Sequence, residues 1–533
     1  MKVIKKAAAL VISAIVLTAC HDISQKPVGR FARFSGGDTP AETIQQAEQE
    51  TQPYTEYAAQ VPEITPAEAE MRIEAEDCTL NGSLYTEDER KGFSGDGYVT
   101  GFYGGSADYL VIPAKIPASQ HYDITVCAAA DTHVTNDIIV NDENIGDFEI
   151  NNKNGKFIRV TFYGVYMEKG ANLIQIDKGD NKFDLDYIEI VNNEDVYKES
   201  LEPDPKPVSE KSSYEMRDLF RYLKQGCGEY IITGQYVSNS KNYEINDIHE
   251  RTGQYPAIRF GDIGGYAEGD PPLESEIQAA KDWNEKGGIV GFMWYWRSPG
   301  KEGSVYSNDT KFDLSKAVTK EDISQLGIGE IRKLCSEQKI SEECLALVED
   351  IDTVSEGLTE LAEEGIPVLW RPLHEAGGSW YWWGSKGAEP YKWLYTLMFE
   401  RMTQYHKLDN LIWIWNGQNE DYLVDGDMYD IASIDVYLGE GETYGSRSQQ
   451  FRWLSKITEN KKMLALSECS SIPDIDDMLR DKSMWSFFGL WFGEYMGSSG
   501  GGKYTTDEQL YRMYNAENSI TLDKYAGIYT HPN

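Results

Sequence analysis

At 533 residues, with 41% hydrophobic side chains that include 13 Trp and 34 Tyr, the chain has material for more than one packed core, and two or three globular units are expected. Its 88 acidic against 50 basic residues leave a net charge of −38, which repels nucleic acid and anionic surfaces and leaves a neutral polymer or a cation as the easier partner. Aromatic residues make up 12% of the chain, and their flat apolar faces suit the C–H faces of sugar rings.

Lys2, Lys5 and Lys6 precede a short apolar run from Ala7 to Ala19, too brief for a membrane span and read as an export signal over residues 1–20. The run ends Leu17-Thr18-Ala19-Cys20, which resembles the bacterial lipobox. That resemblance implies an extracytoplasmic lipoprotein whose Cys20 carries the membrane anchor. Residues 21–67 are rich in Glu, Gln, Thr, Ala and Pro without apolar periodicity, as in a solvated, flexible tether.

Over residues 68–193, short runs such as Tyr109 to Ile112, Tyr122 to Val126 and Asn172 to Ile176 alternate with Gly, Asn and Asp turns, the pattern of an all-β, jelly-roll-like sandwich. Residues 194–212 contain Leu201-Glu-Pro-Asp-Pro-Lys-Pro207, a linker signal. Within 213–533, eight apolar candidates alternate with helical segments: Ile231 to Val237, Tyr255 to Ile263, Gly288 to Trp296, Pro367 to Glu375, Leu411 to Asn416, Ile431 to Leu438, Met463 to Cys469 and Phe487 to Tyr495. Eight such strands predict a (β/α)₈ TIM barrel with its active site at the C-terminal strand ends. The Gly-rich run over 497–502 lacks a Walker lysine and reads as a loop bordering the cleft. Six cysteines follow Cys20; Cys78 with Cys127, or Cys335 with Cys344, are open as disulfides, against buried free thiols.

Polar residues do cluster at the predicted strand ends: Arg371 to Glu375, Asn416, Asp435 with Tyr437, Ser467 with Glu468, and Glu494. Two of these ends stand out, because the apolar Ile366-Pro-Val-Leu369 runs straight into the charged sequence that ends at Glu375, and Met463-Leu-Ala-Leu-Ser finishes in Glu468. Two carboxylates facing each other across a barrel mouth are what glycoside hydrolysis requires, and their spacing decides between retention and inversion. An ordinary Arg371–Glu375 ion pair with Glu468 as a helix cap is the structural alternative. A metal site through His374 lacks an HExxH spacing.

Trp370-Arg-Pro-Leu-His-Glu375, followed by Gly378, Trp380, Trp382 and Trp383, resembles the acid/base motif of glycoside hydrolase family 26, whose best-known members are endo-β-1,4-mannanases, and Leu466-Ser-Glu468 resembles its nucleophile motif. The resemblance implies Glu375 as general acid/base, Glu468 as nucleophile, and cleavage of β-1,4-mannan-type polysaccharide without a catalytic cofactor. It further implies that His374, Trp380, Trp491 and Arg371 serve the sugar subsites and that Tyr437 donates to the nucleophile. Trp294-Tyr-Trp-Arg-Ser-Pro299 departs from the family pattern. Tyr295 stands where a sugar-binding histidine is expected, which leaves mixed-linkage β-glucan or β-1,3-xylan as other substrates. A non-catalytic glycan-binding lipoprotein is the alternative from a different class.

Met71-Arg-Ile-Glu-Ala-Glu76 and Phe183-Asp-Leu-Asp-Tyr-Ile-Glu189 resemble carbohydrate-binding module families 6 and 35, the latter more closely. Glu74 and Glu76 are expected on one face of a first strand and, with Asp186, to hold a structural calcium ion. Tyr98, Asn181 and Phe183 are the candidates for sugar contacts.

Overall fold

The computed structural model describes residues 57–526 apart from 104, 106, 152–153, 199, 265–272, 300–302, 443 and 497–501. Cys20, the export signal, most of the tether and most of the Gly-rich run therefore lie outside the described residues.

The first unit is an antiparallel sandwich of β1 (Glu70–Glu74), β2 (Thr79–Leu80), β3 (Tyr85–Glu87), β4 (Tyr98–Thr100), β5 (Leu110–Ile116), β6 (Gln120–Ala129), β7 (Val134–Val140), β8 (Glu143–Ile150), β9 (Ile158–Met167), β10 (Gly170–Ile176) and β11 (Asp184–Asn192). One sheet runs β3-β4-β11-β6-β9 with β1 on β11, and the other β2-β5-β10-β7-β8. Strand alternation sends Val99, Ile124, Val126, Leu185 and Ile188 from the first sheet, and Ile112, Ile138, Ile174 and Ile176 from the second, into one shared core, as expected of sheets packed face to face.

After two residues of β12 (Ile231–Ile232), the second unit closes eight parallel strands into a barrel: β13 (Gly234–Tyr236), β14 (Ile258–Asp262), β15 (Ile289–Met293), β16 (Val368–Arg371), β17 (Leu411–Trp415), β18 (Ile431–Val436), β19 (Met463–Cys469) and β20 (Phe488–Leu490). Each falls inside one of the eight predicted runs. β21 (Ser519–Ile520) pairs in parallel with β12 below the barrel. The strands are almost wholly buried, because helices cover their outer faces; Trp413, for instance, packs outward on Tyr395 and Phe399.

Several expectations change. The predicted eighth strand stops at Leu490, and Glu494 sits exposed in the 3₁₀ turn Gly493–Met496. The tether expected over 21–67 is docked from Tyr57 onward. Tyr57 exchanges backbone hydrogen bonds with Asn515 and Glu517, and its hydroxyl donates to Asp476 (2.6 Å). The linker also lies on the barrel, with Glu202 and Asp204 donating to the Asn460 and Lys461 carbonyls and Asp204 paired with Lys462. All six cysteines from Cys78 to Cys469 are free thiols.

Candidate active site

At the top of the barrel, β16 delivers Arg371 pointing inward, and the chain then turns sharply. Leu373 and Glu375 both adopt positive φ (52° each), a left-handed conformation that costs a non-glycine residue strain and persists only when the surroundings hold it. What holds it is Asn416 at the end of β17: the Glu375 amide donates to both the Asn416 carbonyl (2.8 Å) and its side-chain oxygen (2.9 Å). The turn sets the Glu375 carboxyl under Trp380, whose Nε1 donates to Oε2 (3.0 Å).

Glu468 reaches the same mouth by a different device. In the β18–β19 register, Ile434 pairs with Leu466 but Asp435 pairs with Glu468, so Ser467 is one extra residue in β19. This bulge lets two successive side chains face the interior, which strict alternation forbids. Ser467 Oγ contacts Asp435 Oδ1 (2.7 Å), and Glu468 Oε2 receives Arg371 Nη1 (2.9 Å) while Oε1 receives the Tyr437 hydroxyl (2.5 Å). Carboxylate oxygens of Glu375, Glu468 and Asp435 all lie within 4.8 Å of one another. The cation shared by this cluster is the Arg371 guanidinium, which pairs with Asp435 and Glu468 and also donates to the Tyr236 hydroxyl.

Burial, and then the charges of Asp435 and Glu468, hold the Glu375 carboxyl well above the usual carboxylate range. Burial and Asp435 also raise Glu468, to about 7, against the opposing pull of Arg371 and Tyr437. The two glutamates are thus placed unequally. Glu375 has no cationic contact among the described residues, whereas Glu468 has a guanidinium and a phenol that stabilise its charged form. Of the two glutamates, Glu468 is accordingly the first to ionise.

Around this pair the structure gathers the remaining residues singled out in the sequence. The His374 ring is buried, its nitrogens meet no hydrogen-bond partner among the described residues, and burial with Arg371 nearby keeps its pKa well below normal, hence neutral. Tyr295 lies edge-on to His374 (5.0 Å between centroids) and receives the Tyr381 hydroxyl (3.0 Å). Trp491 follows β20 and packs on Tyr236 (5.0 Å). The Arg371–Glu375 ion pair of the structural alternative does not form among the described contacts; Arg371 pairs instead across the barrel. Asn416, Asp435 and Tyr236 were not singled out as site residues. Asn416 and Asp435 had the same signal as the glutamates, a polar residue ending an apolar strand, whereas Tyr236 inside its strand had none.

In the sandwich, Glu74 ends β1, but Glu76 falls in the 3₁₀ turn Ala75–Asp77 rather than on the strand face. The expected trio lies around one loop but does not close into a ligand cluster, since among the described residues only Glu375, Asp435 and Glu468 bring three such oxygens within 4.8 Å of one another: Ser94 Oγ donates to Glu74 (2.6 Å), the Ser94 amide to Asp186 (2.9 Å), and the Asp96 and Gly97 amides to Glu76 Oε1. Glu76 Oε2 is buried without a partner among the described residues. Tyr98 and Phe183 are buried at 2% and 1% exposure and cannot meet a polymer; Asn181 is exposed. Tyr103 and Tyr85, passed over in the sequence, are 54% and 42% exposed, with Lys182 over the Tyr103 ring.

Comparison with known proteins agrees with both units. Residues 208–521 match the model of glycosyl hydrolase family 26, and residues 71–192 that of carbohydrate binding module family 35. A mannan endo-1,4-beta-mannosidase of Thermothelomyces thermophilus is 28% identical over 485 residues, covering 87% of this chain and 92% of the relative. Mannan endo-1,4-beta-mannosidase A of Piromyces sp. is 31% identical over 466 residues, covering 85% and 72%. The crystal structure of the Podospora anserina GH26-CBM35 beta-(1,4)-mannanase superposes with a TM-score of 0.57 at 28% identity, over 86% of this chain and 99% of that one. With an eight-stranded barrel, two glutamates at its mouth and a family match over most of its length, this chain is a glycoside hydrolase and belongs to glycosyl hydrolase family 26.

Proposed function

We propose that the enzyme is an endo-acting β-1,4-mannanase that cleaves mannan, galactomannan or glucomannan with retention of configuration. The approach of the Glu375 and Glu468 carboxylates, with oxygens within 4.8 Å, carries the reading. Retaining enzymes hold the two carboxyls about 5–5.5 Å apart, while inverting ones need about 6.5–9.5 Å to admit a water. In the first step a Glu468 oxygen bonds to the anomeric carbon as the glycosidic C–O bond breaks, and the departing oxygen takes the Glu375 proton. In the second, water attacks the anomeric carbon, its proton passes to Glu375, and Glu468 leaves as a carboxylate. Arg371 and Tyr437 fix the attacking carboxylate, one on each oxygen. His374, Trp380, Tyr295 and Trp491 border the sugar. The names of the relatives support mannan as the polymer.

The sandwich serves as the polysaccharide-binding module, and raises the local concentration of chain ends and segments near the cleft. Tyr85 and Tyr103 supply the exposed aromatic faces that Tyr98 and Phe183 cannot. Glu76 Oε2, buried without a donor among the described residues, supports a structural calcium ion shared with Glu74 and Asp186, whose carboxylates would have to draw closer to hold it. Lipidation at Cys20 would anchor the enzyme to a membrane at the cell surface or on a periplasmic face.

The experiment is reducing-end release from β-1,4-mannan, galactomannan, mixed-linkage β-glucan and β-1,3-xylan by the mature protein, with the anomeric form of the first product read by NMR. Mannan cleavage to the β-anomer is expected. Glu375→Ala and Glu468→Ala are expected to lose about 10²–10⁴-fold or more in turnover. An α-anomer overturns the mechanism; release only from another polymer overturns the substrate.

A further inference from the structure

Asp435 is a third buried carboxylate in the cleft, and double displacement by two glutamates gives it no task. It is 4% exposed and held by three donors: Asn416 Nδ2 (2.8 Å) and Ser467 Oγ (2.7 Å) on Oδ1, and Arg371 Nη2 on Oδ2. It is set apart from the sugar chemistry by having both oxygens taken up by these protein donors, not by its burial, which Glu375 and Glu468 share. It does sit among charges. Three buried carboxylates surround one guanidinium, and Arg371 has ion pairs with two of them, Asp435 and Glu468. Glu375 receives a neutral donor, Trp380, on one oxygen, and its Oε1 is buried without a partner among the described residues.

We propose that Asp435 is a positioning residue for the proton of the reaction: by filling the side of Arg371 opposite Glu468, it leaves Glu375 as the one carboxyl of the three that keeps a proton in the resting enzyme. The inference rests on the two-glutamate reading above and gives it its asymmetry. Like charges packed this closely cannot all ionise, and the proton settles where no cation compensates. The other groups facing Asp435 do not compete. His374 on the loop after β16 is held neutral by burial and Arg371, and Tyr236 on β13, Tyr444 beyond β18 and Cys469 on β19 are all pushed up by burial and stay protonated. Tyr437 donates to Glu468. Once Glu468 is consumed in the ester, Asp435 alone balances Arg371, one negative charge is gone from around Glu375, and Glu375 releases its proton readily. That is the state in which it must accept one from water.

The test is the pH profile of kcat/KM for the full mature chain on a soluble manno-oligosaccharide. Removing the Asp435 charge lets both glutamates ionise at lower pH, so in Asp435→Asn the whole bell is expected to slide acidward by about one unit or more. Asp435→Glu keeps the charge and holds both limbs in place, whatever it does to the height. A bell that only loses height in Asp435→Asn overturns the proposal, since that is what a purely structural contact gives. Where Asp435→Asn does not fold, infrared spectra of the wild type and Glu375→Gln at neutral pH decide. A protonated-carboxyl component in the wild-type minus Glu375→Gln difference spectrum supports the proposal, and its absence places the proton elsewhere and overturns it, bands from buried carboxyls outside the cleft such as Asp137 cancelling in the difference. Full turnover in Glu375→Ala or Glu468→Ala sinks the underlying reading as well, an outcome distinct from either.

Discussion

A buried carboxyl that must keep its proton is a liability to the folded state at neutral pH. The Glu375 pKa is raised in the fold, so between about pH 4, the ordinary glutamate value, and the raised value the folded chain binds more protons than the unfolded one, and stability falls as pH rises through that window. Glu375→Gln removes the titration and retains the Trp380 contact. It is therefore expected to be more stable than wild type at pH 7 by at least about 1 kcal/mol, one pKa unit being worth about 1.4 kcal/mol, and to melt about 2–4 °C higher. The gain should vanish near pH 4. Melting curves at the two pH values check this, and an equal gain at both would mean that the carboxyl is not held protonated. At this scale the sequence was informative in a specific way. Glu375 and Glu468 stand out because a charge directly after an apolar strand has no folding reason. What could not be read is which of several such groups shares a cation, because Arg371, Asp435 and Glu468 come from three different strands. Tyr98 reads as a sugar-contact aromatic in the sequence, which does not show that Phe93 and Phe157, from two separate loops, pack against its ring.

The elements owe their identification to length and pattern, and their precision to devices with weaker signals. Apolar runs of five to seven residues such as Leu411 to Trp415 and Met463 to Cys469 were legible as barrel strands because both faces are covered. The bulge at Ser467 was invisible, since a single inserted residue changes no composition; it is known only from the pairing partner. The turn after β16 shows how tightly an element can be specified. A Cβ at Gly378 would come within 1.9–2.3 Å of the Trp380 ring, so only glycine lets the indole fold back over Glu375. Gly378→Ala is expected to displace Trp380 and reduce kcat by about 10²-fold, the cost of roughly an ångström of misplacement near the chemistry. Gly426→Ala is the control, because nothing lies within 4 Å of a Cβ there. Unchanged kcat in Gly378→Ala would show that the indole does not position the acid.

At the scale of the whole molecule, sandwich and barrel are not beads on a string. His121 on β6 is fully buried against the barrel, its Nε2 donating to Asp481 (3.0 Å), 360 positions away, and its Nδ1 accepting from the Tyr197 hydroxyl (2.7 Å). Burial keeps the imidazole neutral, and His121 and Arg480 hold Asp481 down to about 2. Gln449 of the barrel brackets the Tyr163 backbone with two hydrogen bonds, and Arg447 donates to the Asn144 carbonyl. The chain is also fastened on entry, at Tyr57, and on exit, at Glu202 and Asp204. None of these partners was legible, because composition marks 21–67 and 194–212 as linkers while the contacts that dock them come from hundreds of residues away. Fixed at three places, the binding module should present its exposed aromatic face at one angle to the cleft. It should also share its unfolding with the barrel, since its loss would leave buried polar groups such as Asp481 short of a donor. His121→Ala removes one such donor and opens a cavity, a loss of about 2–3 kcal/mol at the interface. Calorimetry of the wild type is expected to show one coupled transition, and of His121→Ala a split in which the module melts first. Turnover of soluble oligosaccharide should survive the substitution, because the side-chain contacts of His121 are to Tyr197, Asp481 and Tyr166 and not to cleft residues, while the rate on insoluble mannan should fall toward that of a barrel with a loosely tethered module. Two independent transitions in the wild type would mean that the contacts do not couple the units, and the fixed angle would fall with them.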